Sequence, residues 1–192
     1  MSETELIDRA RSGDQDAFAE LVSAHADQVY GALRRFGLNP HEADEVAQEV
    51  FVRAWRGLGR FQGRAKLSTW LYRITFNEAQ RALSRRHPAG GDTAAGDEDP
   101  VAAVPDDEHH GPDAQALDRE FSEVLDHALA QLPPDWRAAV VLRDLEGLST
   151  SEAAEIAGVR QAAFKSRLHR GRMQLRELLA PYYEGEDRGQ LR

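Results

Sequence analysis

The chain has 192 residues, no cysteine, 41% hydrophobic residues and 24 Lys+Arg against 33 Asp+Glu, for a formal net charge of −9. That length fits one ordinary domain or two small ones, and the missing thiols exclude a disulfide scaffold, a thiolate zinc site, an iron–sulfur cluster and a cysteine nucleophile. No apolar run of roughly 18 residues is present to span a membrane, and the N-terminal stretch lacks the apolar core of a secretory leader, so the chain reads as a soluble, cytoplasmic protein.

An acidic total argues against a nucleic-acid ligand, because phosphates select basic surfaces. The charge, however, is segregated. Residues 1–52 hold 4 basic and 11 acidic side chains, and residues 53–86 hold nine basic ones against Glu78 alone. Residues 87–117 carry eight acids and no Lys or Arg; residues 118–159 carry three basic and nine acidic side chains. Residues 160–176 then supply six basic groups and no acid. Two strongly basic segments inside an acidic chain can still present phosphate-binding faces.

In chain order, Leu6, Ala10, Phe18, Leu21, Val22, Val29 and Leu33 recur at three- and four-residue steps, the stripe of an amphipathic helix. Gly37 and Asn39-Pro40 stop it. A second helix from Pro40 carries Ala43, Val46, Ala47, Val50, Phe51, Ala54 and Trp55 on one face. Gly57, Gly59 and Gly63 interrupt regular structure around Phe61. A third helix, capped by Ser68, turns Leu71, Ile74 and Ala82 inward and Arg73, Asn77, Gln80 and Arg81 elsewhere. Residues 87–117 are rich in Pro, Gly and acid and nearly devoid of large apolar groups, the composition of a flexible linker.

Beyond the linker, Phe121, Val124, Leu125, Ala128, Leu129 and Leu132 form a helical stripe ended by Pro133-Pro134. Trp136, Val140, Val141 and Leu145 make the inner face of the next helix, which Gly147 ends. Ser149 and Glu152 form a capping box for a short helix with Ala153, Ala154, Ile156 and Ala157 inward. A last helix is predicted from about Arg160 to Leu179. Ala154, Gly158 and Phe164 have the small–glycine–apolar spacing of a helix-turn-helix.

Three constellations carry chemistry. In the last helix, Phe164, Leu168, Gly171 and Leu175 must face the core. Lys165, Ser166, His169 and Arg170 then lie on the opposite face, with Arg160 and Gln161 at its start and Arg167, Arg172 and Arg176 flanking for phosphates. The basic, aromatic-interleaved stretch 55–86 suits a single strand or a flipped base. Its loop 61–67, with Gly63, Arg64 and Lys66, is hard to explain as packing, whereas Phe61, Trp70, Tyr72 and Phe76 also suit a core. On the second helix, Asp44, Glu45, Gln48 and Glu49 beside Phe51 and Trp55 could dock a basic partner helix or be an ordinary solvated face. Catalysis finds no support: the carboxylate pairs lie on a helix exterior and in the linker. The run Asp106, Asp107, Glu108, His109 and His110 reads as solvated rather than as a metal site.

These blocks resemble the extracytoplasmic-function (group IV) sigma factors of bacterial RNA polymerase. AFAELVSAHADQVYGALRRFG, HEADEVAQEVFVRAW and STWLYRITFNEAQRALSRR follow the order and spacing of sigma region 2. LPPDWRAAVVLRDLEGLSTSEAAEIAGV followed by KSRLHRGRMQLRELL is similar to the helix-turn-helix of region 4. The resemblance implies an all-α chain of two small helical domains, region 2 over 1–86 and region 4 over 118–181, with a flexible acidic linker over 87–117 and a tail over 182–192. It implies a non-enzymatic factor without metal or cofactor that binds core polymerase, recognises −10 and −35 promoter elements and promotes melting. Asp44, Glu45, Gln48, Glu49 and Phe51 would meet the β′ clamp helices, and the β subunit is a further contact. Phe61, Arg64 and Lys66 in the loop, with Trp70 and Asn77, would capture the −10 non-template strand. Arg73, Arg81, Arg85 and Arg86 would hold its phosphates. Lys165, Ser166, His169 and Arg170 would contact the −35 duplex, with Arg160, Gln161 and Arg167 beside them. An anti-sigma partner is usual in the family. Ala162-Ala163-Phe164 departs from the family's small or β-branched pair, so −35 specificity is not carried over. The competing readings are a helix-turn-helix repressor or activator acting without core polymerase, which explains residues 118–180 but leaves the loop 61–67 and the Asp44–Phe51 face unused, and a nucleic-acid-processing enzyme, which lacks a carboxylate cluster in a pocket.

Overall fold

The computed structural model describes residues 2–86 and 119–189, with side chains over 2–86 and 121–182. Among these residues the regular structure is entirely helical. The first unit, residues 1–91, holds α1 (Glu3–Arg11), α2 (Gln15–Arg35), α3 (Pro40–Leu58) and α4 (Leu67–Arg86). The second, residues 92–192, holds α5 (Arg119–Gln131), α6 (Pro134–Val140, continued by a π-helical turn over Val141–Leu145), α7 (Thr150–Ala157) and α8 (Gln161–Gly189). The all-α expectation is met. The expected linker, with the acidic–histidine run 106–110, lies outside the described residues.

The single stripe expected from Leu6 to Leu33 is two helices. Gly13 takes φ +97, a left-handed conformation open to glycine at little cost. Asp14 then starts α2 by accepting from the N–H groups of Asp16 and Ala17, each at 3.0 Å, and from Arg9 Nε at 2.8 Å. These contacts, the Ala17 amide foremost, hold the Asp14 carboxyl below its ordinary pKa, while Asp14 in turn raises that of Arg9. The break lets α1 pack back on α2. His25, buried on α2, bonds Gln28 and reaches Glu3 of α1 at 3.1 Å.

The periodicity could not reveal that turn, because the apolar spacing continues through it. The core it creates joins Ala10, Ala17, Leu21, Ala54, Leu58, Phe61, Leu67 and Leu71, ringed by Phe18, Trp55 and Trp70. Asn39 and Glu42 form a capping box at the start of α3, with Pro40 in the first turn. Ser68 does not cap α4. That helix starts at the buried Leu67, and the Lys66 carbonyl accepts from the Trp70 N–H.

In the second unit, Pro133-Pro134 separates α5 from α6 as expected. Arg137 of α6 reaches back to the carbonyls of Ala130 and Leu132 at 2.7 and 3.0 Å and satisfies the end of α5; burial lowers its pKa. The inner face of α6 differs from the expected one. Ala138, Ala139, Val140, Val141 and Leu142 are all buried, whereas Trp136 and Leu145 are only half-buried. A π turn holds more residues than an α turn and rotates the face, so Leu142 occupies the interior in place of Leu145.

The capping box of Ser149 and Glu152 starts α7, and Gly158 at φ +69 ends it in the left-handed conformation. Gly171 of α8 serves space rather than conformation. A Cβ there would lie 2.8 Å from Val140 Cγ2 and 3.0 Å from the Trp136 carbonyl oxygen, so α8 crosses α6 at near contact. The last helix also runs past Leu179 through Pro181 to Gly189. A proline removes one N–H donor but keeps a helical φ, and here it does not end the helix.

Candidate nucleic-acid interface

On α3, Asp44, Glu45, Gln48 and Glu49 are all exposed along one strip. Val52 continues that strip one turn on and is 42% exposed. Phe51 is half-buried and turns the other way, into an apolar groove that it lines with Phe18, Val22, Leu67 and Trp70. Trp55 is likewise half-buried, its ring centroid 4.9 Å from that of Phe18. The acid–amide strip and the aromatic pair thus lie on different flanks of the helix.

The segment 62–66 is fully exposed between two buried anchors, Phe61 and Leu67. Gly63 at φ +68 reverses its direction and leaves Arg64 and Lys66 in solvent. Phe61, placed among the strand-capturing residues by resemblance, is only 7% exposed. Its ring packs 5.3 Å from that of Trp70, so it supports the loop from beneath. Trp70 is half-buried and crosses α3 at Gly57, where a Cβ would stand 3.2 Å from its ring. Tyr72 and Phe76 belong to the core.

Arg73, Asn77, Arg81 and Arg85 are exposed at successive four-residue steps along α4 and make one row. Arg86 is drawn aside: it pairs with Glu42 and its Nη1 donates to the Gly37 carbonyl at 3.3 Å, tying the end of α4 to the start of α3. Glu78, the lone acid of this basic stretch, is buried between Arg53 of α3 and Arg81 of α4. Residue spacing carries no cue to that pairing, because Arg53 and Glu78 stand on different helices.

On α8, Phe164 is fully buried, with Leu168 and Gly171 inward beneath it and Leu175 half-buried. The departure at Phe164 is therefore absorbed by the core. Arg160, Gln161, Ala162, Ala163 and His169 are exposed, and Lys165, Ser166 and Arg170 are partly so, in the expected arrangement. Gln161 Nε2 donates to Ser151 Oγ on α7 at 3.2 Å, which joins the two helices of the helix-turn-helix. Two flanking arginines do structural duty. Arg167 pairs with Asp135 at 3.0 Å, and Arg172 grips Asp144 through Nε and Nη2 at 2.9 and 2.6 Å, fastening α8 to α6. Arg176 is exposed. No helix among the described residues is long and apolar enough to cross a membrane.

Residues 21–88 match the Sigma-70 region 2 family and residues 122–175 the Sigma-70 region 4 family. The chain is 35% identical to the RNA polymerase sigma-H factor of Pseudomonas aeruginosa over 92% of its length and 93% of the relative's. It is 33% identical to the ECF RNA polymerase sigma factor SigW of Bacillus subtilis, covering 90% and 94%. With the ECF sigma factor SigE of Mycolicibacterium smegmatis the identity is 39% over 89% of this chain, a match spanning 66% of that relative. The solved structure of CnrH in complex with the cytosolic domain of CnrY superposes with a TM-score of 0.62 at 27% identity, covering 92% of this chain and 96% of that one. With region 2, region 4 and whole-length similarity to such factors in one polypeptide, the chain belongs to the extracytoplasmic-function branch of the sigma-70 family of RNA polymerase sigma factors.

Proposed function

We propose that this protein is a cytoplasmic transcription initiation factor that joins core RNA polymerase, recognises promoter −10 and −35 elements and promotes melting, without being an enzyme in itself. In this reading residues 1–86 are the polymerase-binding and −10 domain, 87–117 connect, and 118–181 read the −35 duplex. The observation that carries it is the coexistence in one chain of an exposed basic loop braced by aromatic rings and a helix-turn-helix whose outer face holds Arg160, Gln161, Lys165, Ser166, His169 and Arg170. A regulator acting on duplex DNA alone needs the second feature only. Single-stranded DNA is gripped by cations and stacking surfaces, and duplex is read by donors on a helix in the major groove.

The strip Asp44, Glu45, Gln48 and Glu49, with Val52 within it, is the proposed docking face for a basic helical surface of the polymerase. An anti-sigma protein is the proposed regulator, as is usual in the family. Run-off transcription with purified core polymerase tests the whole reading. Core-dependent initiation from a promoter is expected, with little sequence-specific binding by the factor alone. Tight promoter binding by the free protein without core-dependent initiation would instead make it a helix-turn-helix repressor or activator.

A further inference from the structure

Glu78 is the one acid among residues 53–86, and its side chain is only 7% exposed. A carboxylate taken out of water is costly unless paired, and this one is paired twice on a single oxygen. Arg53 Nε of α3 lies 2.7 Å from Glu78 Oε1, and Arg81 of α4 contacts the same atom. Both arginine side chains stay about half exposed, at 48% and 56%. The carboxylate therefore draws two guanidinium groups from different helices to one point and neutralises one of them. The remaining positive charge is carried on side chains that keep about half of their surface in solvent.

We propose that Arg53 and Arg81 form a two-arginine site for one backbone phosphate of the −10 non-template strand, with the buried Glu78 carboxylate as its positioning residue. The family resemblance assigns no such role to Arg53 or Glu78, and the inference rests on the reading of the first unit as the −10 domain. A phosphodiester carries one negative charge, which balances the triad, and its paired oxygens suit guanidinium donors. The site also lies in line with other strand-binding groups. Arg73 and Asn77 precede Arg81 at four-residue steps on the exposed face of α4, and Arg85 follows it. Arg53 widens that row on the α3 side.

The test uses holoenzyme assembled from core polymerase and the full chain, bound to a single-stranded oligonucleotide carrying the −10 element, over a range of salt. Arg53→Ala should weaken binding at least about fivefold and lower the salt slope by about 0.7, the value for one phosphate lost on a single strand. Its affinity for core should not change. Glu78→Gln separates positioning from bulk charge. It removes a negative charge from beneath the proposed DNA-facing surface, so simple electrostatics predicts tighter binding, whereas a positioning role predicts weaker binding. The double variant should be little worse than either single one, because both act through one site. An unchanged slope in Arg53→Ala, lost core affinity in that variant, or binding by Glu78→Gln that is unchanged or tighter would each overturn the site. Arg53 lies on the surface, so its variant tests the site even where Glu78→Gln fails to fold. Absence of core-dependent transcription by the wild type would overturn the underlying reading instead.

Discussion

In the second unit the proposed DNA-facing donors from Arg160 to Arg170 stand at or near the start of one helix, and neighbouring helices only hold that helix in place. In the first unit the corresponding surface is assembled from α3, the loop 62–66 and α4, and it exists only while those pieces are packed together. The two units also treat surplus charge differently. Asp135 draws Arg167 into the fold of the second unit, and Asp144 ties the still exposed Arg172 to α6. In the first, Glu78 is the buried member and leaves its arginines half exposed. One unit uses ion pairs to fix a helix, and the other uses one to aim cations.

That contrast can be broken most severely at the docking strip. Glu49→Lys places a like charge against a basic partner surface, a juxtaposition that costs several kcal/mol. It should abolish core binding measured by native gel or fluorescence anisotropy. Helical circular dichroism should be unchanged, because Glu49 is exposed. Retained core affinity would remove the strip from the interface and leave the first unit's acidity unexplained.

Next in size is the single-helix face. Arg170→Ala should weaken −35 duplex binding by about 1–3 kcal/mol, whether the residue contacts a base or a phosphate. Binding of the single-stranded −10 oligonucleotide should be untouched. Gly171→Ala, one residue on, acts through packing alone. Its methyl group meets Val140 and the Trp136 carbonyl, and a backbone oxygen cannot step aside as a side chain can. Overpacking of this kind costs about 1–3 kcal/mol, read as a lower Tm for the transition of the second unit with that of the first unchanged. A variant as stable as wild type would mean that α6 and α8 are free to separate.

The same contrast explains what was legible in the sequence. The faces of α7 and α8 follow from a 3.6-residue period and two caps, both local, so Ser149, Gly158 and the inward Phe164 could be placed from spacing alone. The α1–α2 turn was missed because the apolar stripe continues through Ser12-Gly13-Asp14, and only the glycine and the capping Asp hinted at a break. The phase of α6 was missed because a π turn leaves no mark in the order of apolar residues. The Arg53–Glu78 contact spans two helices, and a single sequence does not give their relative register. Resemblance places Phe61 among strand-capturing residues, and its burial depends on a core contributed by α1, α2, α3 and α4.

The smallest effect tests that dependence on packing by pH. Asp14 holds the α1–α2 turn, and the N–H of Ala17, then the Arg9 side chain, keep its folded pKa below the ordinary 3.8. A lowered carboxyl pKa means that the charged form is the stabilising one. Its contribution is complete above 3.8 and drains away as the pH falls through the folded value, so nothing changes near neutrality. Ala10 and Leu6 of α1 pack in the core that anchors Phe61 and Leu67, so a loosened turn should reach the base of the 62–66 loop. Hydrogen exchange compared between about pH 5 and about pH 2.5, after correction for intrinsic rates, should show lost protection at the Asp16 and Ala17 amides. Asp14→Asn keeps an N-capping acceptor but no longer titrates, so its protection there should be lower at pH 5 and nearly flat between the two conditions. Equal protection of the wild type at both pH values would mean that apolar packing alone holds α1 against α2, and that the first unit's face is no more dependent on its electrostatic fastenings than the second's.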